Sequence, residues 1–193
     1  MKQSIIDRYA RTEDGRIIID ITAGRVEDVY SDFDKSAHYL KKDLDSDLVD
    51  YIVNSVREIG NEDFVIRFGF GAEVAEALMT RVRMSVHSFF LYMKELELKE
   101  MRGVMRTSLT LFITGLAVLT LSVIVHRGMG PEAGVVKDVF AEGLTVAAWV
   151  SLWESIGRFL FSALPRRKRI RRCHRIAAAE ILFQEPKPVV GAR

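Results

Sequence analysis

The sequence is poor in the residue types that build most catalytic and metal centres. It holds one cysteine, Cys173, so neither an intrachain disulfide nor a cysteine-based zinc site is available, and a reducing, cytosolic setting fits. His38 and His87 read as surface or packed side chains, because neither has a second histidine or cysteine at ligand spacing. Asp28, Asp32 and Asp34 stop short of a calcium loop, since the ordered D-x-D-x-D-G run closed by a glutamate is missing. There is no glycine-rich phosphate loop and no nucleophile with a matching base, which argues against an enzyme and against a bound cofactor. The first fifteen residues, MKQSIIDRYARTEDG, have no apolar core of signal-peptide length. Any insertion into a membrane is then directed from within the chain.

What the chain does have is apolar sequence gathered in two places. Residues 107–125 (TSLTLFITGLAVLTLSVIV) run without a charge, close to the roughly 20 residues that cross a hydrocarbon core. Residues 143–164 (GLTVAAWVSLWESIGRFLFSAL) form a second segment, weaker because it contains Glu154 and Arg158. Those two stand four apart with the acid first, the favourable order for a helical ion pair, and the Arg158 stem is long enough to snorkel towards headgroups. Between the segments, Gly128-Met129-Gly130-Pro131 breaks the helix. The pattern predicts a transmembrane hairpin: helix 1 over 107–126, a short extracytosolic loop over 127–137 and helix 2 over 138–164.

Charge orients it. The net charge of +2 is strongly segregated: residues 1–75 carry −6, residues 76–164 carry +1 and residues 165–193 carry +7. Lys94, Lys99, Arg102 and Arg106 precede the first segment, while Arg166, Arg167, Lys168, Arg169, Arg171 and Arg172 follow the second. The loop offers only Arg127 and Lys137 beside Glu132 and Asp138, so both termini are expected in the cytosol of a bacterial cell, with the hairpin in the inner membrane. A basic run abutting a membrane segment points to anionic lipid headgroups rather than nucleic acid. Read as a helix with Ile170, Ile176, Ala177, Ile181 and Leu182 on its apolar side, this tail would lie along the inner leaflet.

Small residues suggest how the helices pack. Gly143, Ala147, Ser151 and Ser155 recur every fourth residue on the second helix, a stripe that lets another helix approach closely. On the first helix Ser108, Gly115 and Ser122 recur every seventh. The stripes can pack on each other or between subunits. Glu154 is the sharpest single residue, since an ionisable group in a membrane helix is by default a functional candidate. A structural pair with Arg158 accounts for it more simply than a proton or cation path.

The N-terminal 71 residues read as a small cytosolic α+β head. Residues 16–22 are β-branched enough for a strand, on which Asp20 is a solvent-facing charge rather than a catalytic carboxylate. Leu48, Ile52, Val53, Val56 and Ile59 recur at helical spacing from an N-cap at Asp45 or Ser46 to the stop at Gly60-Asn61. Residues 62–70 alternate, with Phe64, Ile66, Phe68 and Phe70 on one face. Two strands alone are marginal in water, so the head needs its helices or another copy. Residues 72–106 continue as an amphipathic stalk helix of roughly 50 Å with a possible bend at Gly103, feeding the first membrane segment.

Three blocks, residues 33–53 (FDKSAHYLKKDLDSDLVDYIV), 103–123 (GVMRTSLTLFITGLAVLTLSV) and 142–167 (EGLTVAAWVSLWESIGRFLFSALPRR), resemble a family of uncharacterised bacterial two-span small membrane proteins. The third block departs from that family's pattern at Ala148 before Trp149 and at Glu154-Ser155 after Trp153. The resemblance implies the two-span topology and no catalytic residue, because no activity is assigned to the family. The expectation is a non-enzymatic, homo-oligomeric scaffold or adaptor presenting a cytosolic head to a protein partner. An oligomeric pore using Glu154 and an accessory subunit of a larger membrane complex are the alternatives.

Overall fold

The computed structural model describes residues 6–31, 43–128 and 135–184; His38, Asp32, Asp34, the Met129-Gly130-Pro131 break and the tail beyond Gln184 lie outside them. The chain is mostly helical with one small sheet, and it divides into two compact units, residues 1–95 with 171–193 and residues 96–170.

The first unit is built on a three-stranded parallel sheet. Strand β1 (Ile17–Ala23) leads through a short 3-10 turn (Val26–Val29) and helix α1 (Ser46–Ile59) to strand β2 (Phe64–Phe70). Asp45 caps α1 by accepting hydrogen bonds from the Asp47 and Leu48 amides, and Gly60 ends it at φ 75°, a value that costs a glycine nothing. β1 and β2 pair in parallel with Ile17 opposite Phe64 and Ile21 opposite Phe68. The register puts Ile17, Ile19 and Ile21 on one face with Phe64, Ile66, Phe68 and Phe70. That face is the core, buried against Ile52, Val56 and Ile59 of α1. The opposite face carries Asp20 and Arg67, directly paired across the strands. The Asp20 carboxylate accepts from Arg67 Nε at 2.5 Å and Nη2 at 2.8 Å, and these bonds hold the guanidinium above its ordinary range.

A third strand, β3 (Glu180–Gln184), lies beside β2 in parallel, with Ile181 opposite Ile66 and Phe183 opposite Phe68. This corrects two expectations. The head has three strands, and residues 180–184 are not part of a helix on the leaflet. Ile176, Ala177 and Ile181, expected to face lipid, are buried in the head core with Cys173. The helical periodicity of this stretch was real only as far as Ala177. Beyond it, pairing with a strand more than a hundred residues earlier in the chain outweighs local propensity.

Between β2 and β3 runs the remaining helical chain. Helix α2 (Glu76–Gly128) is one unbroken helix that starts four residues later than the sequence suggests and passes through Gly103. Its first turns supply Val82, Val86 and Phe90 to the head core. Helix α3 (Val135–Arg158) continues through a π-helical turn (Phe159–Ala163) into helix α4 (Leu164–Ala177). The π turn has a local cause: Pro165 has no N–H for the Phe161 carbonyl and its ring crowds that carbonyl, so the helix widens just before it. Within the first unit α4 is tied in by Arg175, which donates to the carbonyls of Gly60 and Glu62 and lies 5.1 Å from the Phe64 ring. His87 Nδ1 stands 2.8 Å from the Ala177 carbonyl oxygen, a packed histidine rather than a ligand.

Phe68 is fully buried and stacks on both Phe70 and Phe183, so it joins β2 to β3 as well as to the core. Phe68→Ala should therefore lower head stability by about 3–5 kcal/mol, read as an earlier unfolding midpoint in denaturant.

Candidate functional site

Two groups of residues draw attention as sites: the helix pair of the second unit and the cavities of the head. In the helix pair, α2 and α3 run antiparallel, and residues every seventh position meet in tiers. At one end Ser122 donates to the Ala141 carbonyl at 3.1 Å and shares a 2.7 Å hydrogen bond with Thr145. In the middle Gly115 lies against Ala148, Ser151 and Leu152 so closely that a Cβ on it would stand 3.1 Å from Ser151 Cβ. At the other end Ser155 donates to the Ser108 carbonyl at 2.7 Å. Ser108, Gly115 and Ser122 are all buried, as are Ala141, Ala148 and Ser155 opposite them. A seven-residue repeat of small side chains lets two helices stay close over several turns, because it keeps one seam facing the partner.

Eleven residues further along each helix the same register holds. Arg166 pairs with Glu97 at 3.2 Å and with Glu100, and Arg169 reaches Glu97 at 3.4 Å. The Glu97 side chain is only 13% exposed, so this clasp is the better sheltered of the charge contacts here. Of the basic residues expected at headgroups, Arg166 and Arg169 are thus engaged by carboxylates. Arg167, Lys168 and Arg171 are exposed, and Arg172 is half-buried.

The four-residue stripe behaves differently from the seven-residue one. Ser155 is in the contact with α2 and Ser151 is half-buried at its edge, but Gly143 and Ala147 are exposed. The helix wheel puts Gly143, Ala147, Val150 and Glu154 on the side of α3 turned away from α2. Glu154 accepts from Arg158 Nε at 2.8 Å, with about half of each side chain exposed (54% and 50%). Because Ser155 is bonded to Ser108, Glu154 is level with the start of the apolar segment of α2 and not with its middle. Sequence reasoning missed Ala141 and Ala148. Their spacing of seven with Ser155 was visible, but the glycine-led spacing of four masked it.

In the head, a cavity of about 510 Å³ opens at the end of β1 between Thr22, Gly24, Asp28, Leu48 and Tyr51. The acids lining it are already engaged: Asp20 by Arg67, and Asp28 by the Arg25 amide at 2.9 Å. The strand order β1-β2-β3 never reverses, so the sheet lacks the crevice at which parallel α/β folds bind ligands. Among the described residues no three His, Cys, Asp or Glu side chains are grouped to hold a metal ion. The organised feature of the chain is therefore the helix pair.

Gly115→Val should force α2 and α3 apart and destabilise the pair by about 1–3 kcal/mol, whereas Ile113→Leu, on the exposed side of α2, should leave it unchanged; thermal unfolding of the detergent-solubilised chain distinguishes the two. Comparison of the chain with protein-family models, with curated proteins and with solved structures finds no match.

Proposed function

We propose that the chain is a two-span inner-membrane protein that holds its head and both termini on the cytosolic side and serves, without catalysis, as a self-assembling scaffold or adaptor. Among the described residues one helix, α2, is long and apolar enough to cross a membrane, and only 17% of its most apolar stretch is buried. The observation that carries the two-span reading is the pairing of β2 with β3. Neighbouring strands of one sheet lie on one side of a membrane. The chain between them must cross an even number of times, so a crossing by α2 requires a return.

Helix α3, 24 residues long, can supply that return. Phe140, Val146, Trp149, Val150 and Trp153 stay more than half exposed on it, as Leu109, Ile113 and Ile124 do on α2. Such surface is at home in hydrocarbon and out of place in water. Orientation rests on the flanking lysines and arginines. Self-assembly is supported by the face of α3 that α2 leaves free, where Gly143 and Ala147 would let a second helix approach. The position of Glu154 on that outer face, near one end of the apolar stretch, speaks against an ion path through the hairpin of a single chain.

Topology and assembly are tested separately. With Cys173 replaced by alanine, a cysteine at Met129 should react with a membrane-impermeant maleimide on intact spheroplasts, and a cysteine at Glu62 only after lysis. Labelling of both, or of Glu62→Cys alone, would reject the orientation. Ala147→Leu should reduce the mass of the detergent-solubilised particle towards that of one chain. An unchanged multimer moves the interface elsewhere, and a wild-type monomer favours a subunit of a larger complex.

A further inference from the structure

The sheet of the head has two edges, and they are closed unequally. At the β3 edge Arg83 donates from Nε to the Ile181 carbonyl at 3.3 Å and lies 5.0 Å from the Phe183 ring, so a charged side chain blocks it. At the β1 edge the chain adds a short antiparallel piece of itself. Arg11 bridges Ile17, the Thr12 amide donates to the Arg16 carbonyl at 2.9 Å, and the Ile18 amide donates to the Ala10 carbonyl at 2.8 Å. Beyond Ala10 this arm turns away, with the Tyr9 amide bonded to the Ile6 carbonyl. The Ile17 amide points to β2, where it donates to Asp63, so alternation turns the backbone groups of Ile18, Asp20 and Thr22 outward. The Asp20 carbonyl accepts from the Tyr51 hydroxyl at 3.1 Å. Thr22 is exposed, and its N–H and C=O have no partner among the described residues.

Beside this open stretch lies the cavity of about 510 Å³ between β1 and α1. Ile21, Val29 and Leu48 give it apolar walls, and among the described residues no lysine or arginine lines it. Asp28 stands at its Gly24 end, 3.2 Å from where a Cβ on that glycine would lie. The Arg25 amide takes one Asp28 oxygen at 2.9 Å and leaves the second oxygen and the charge. We propose that the β1 edge from Asp20 to Gly24 is a docking site for an extended segment of a partner protein, which adds antiparallel to β1 and places a lysine or arginine in this cavity against Asp28. A residue opposite Thr22 exchanges both backbone hydrogen bonds with it. Its neighbours, opposite Ile21 and Ala23, turn their side chains to the helix side of the sheet, where the cavity lies. The one opposite Ala23 falls beside Gly24 and Asp28, with its stem on apolar wall and its charge on the carboxylate. An acidic residue there meets Asp28 and is rejected. The inference rests on the adaptor reading and names the chemistry of the partner.

The probe is a fluorescein-labelled peptide, TKTVT, whose central threonine faces Thr22 and whose lysine faces Ala23. It is titrated with the detergent-solubilised full chain and followed by anisotropy. Saturable binding is expected, weakened by about tenfold when the lysine becomes glutamate or the chain carries D28N. D28N keeps an acceptor for the Arg25 amide, so the turn stays closed. Methylating the backbone nitrogen of the central threonine removes the N–H that pairs with the Thr22 carbonyl and should weaken binding by a similar factor, without touching the protein. No saturable binding, equal binding of the lysine and glutamate peptides, or indifference to the methyl group would each overturn this inference. The scaffold reading is judged by particle mass and cysteine labelling, which none of these outcomes alters.

Discussion

The pairing of β3 with β2 is the constraint on which the rest depends. It takes residues from opposite ends of a helical excursion and joins them in one sheet, so the apolar helices are an insertion within the crossover of a parallel α/β head. Parallel strands need a crossover of a dozen or more residues, commonly one helix. Here the crossover is stretched until it holds two long helices and their connection. The two helices that enter and leave the excursion also pack in the head core, through Val82, Val86 and Phe90 on one and Cys173, Ile176 and Ala177 on the other.

Within the excursion a single register organises the helix pair. The small residues Ser108, Gly115 and Ser122 meet Ser155, Ala148 and Ala141, and the charge clasp at Glu97 and Arg166 falls on the same alignment. Hydrogen bonds from serine hydroxyls to carbonyls of the facing helix close two of the tiers, and the glycine allows the approach that makes those bonds reachable. Seen this way, the two small-residue stripes of the return helix divide the work. One is spent on its own hairpin, and of the other only Gly143 and Ala147 are left outward.

Much of the head was legible because its signals are local. The α1 helix matched from its Asp45 cap to Gly60, and β2 matched in its alternating faces, since capping chemistry and burial periodicity act over a few residues. β3 was not legible, because EILFQ follows a helix without a strong breaker and becomes a strand only by lying beside Val65 to Gly69. The same logic applies in the helix pair. The heptad of Ser108, Gly115 and Ser122 could be read from one helix alone, but choosing Ala148 rather than Ala147 as its partner requires knowing the rotation of the other. The basic run told a similar story: its charge was plain, yet which arginines were already paired depended on Glu97 and Glu100, about seventy residues away.

The position of β3 also has a meaning in time. Residues 180–184 leave the ribosome after both apolar segments, so the sheet cannot be completed until the hairpin has been synthesised. Until then β2 presents an unpaired edge on which Ile66 and Phe68 lack their neighbours Ile181 and Phe183. A nascent chain stalled at the hairpin therefore carries an unfinished head, open to the chaperones and proteases that recognise exposed strands. The finished sheet is, in effect, a receipt that the whole excursion has been made.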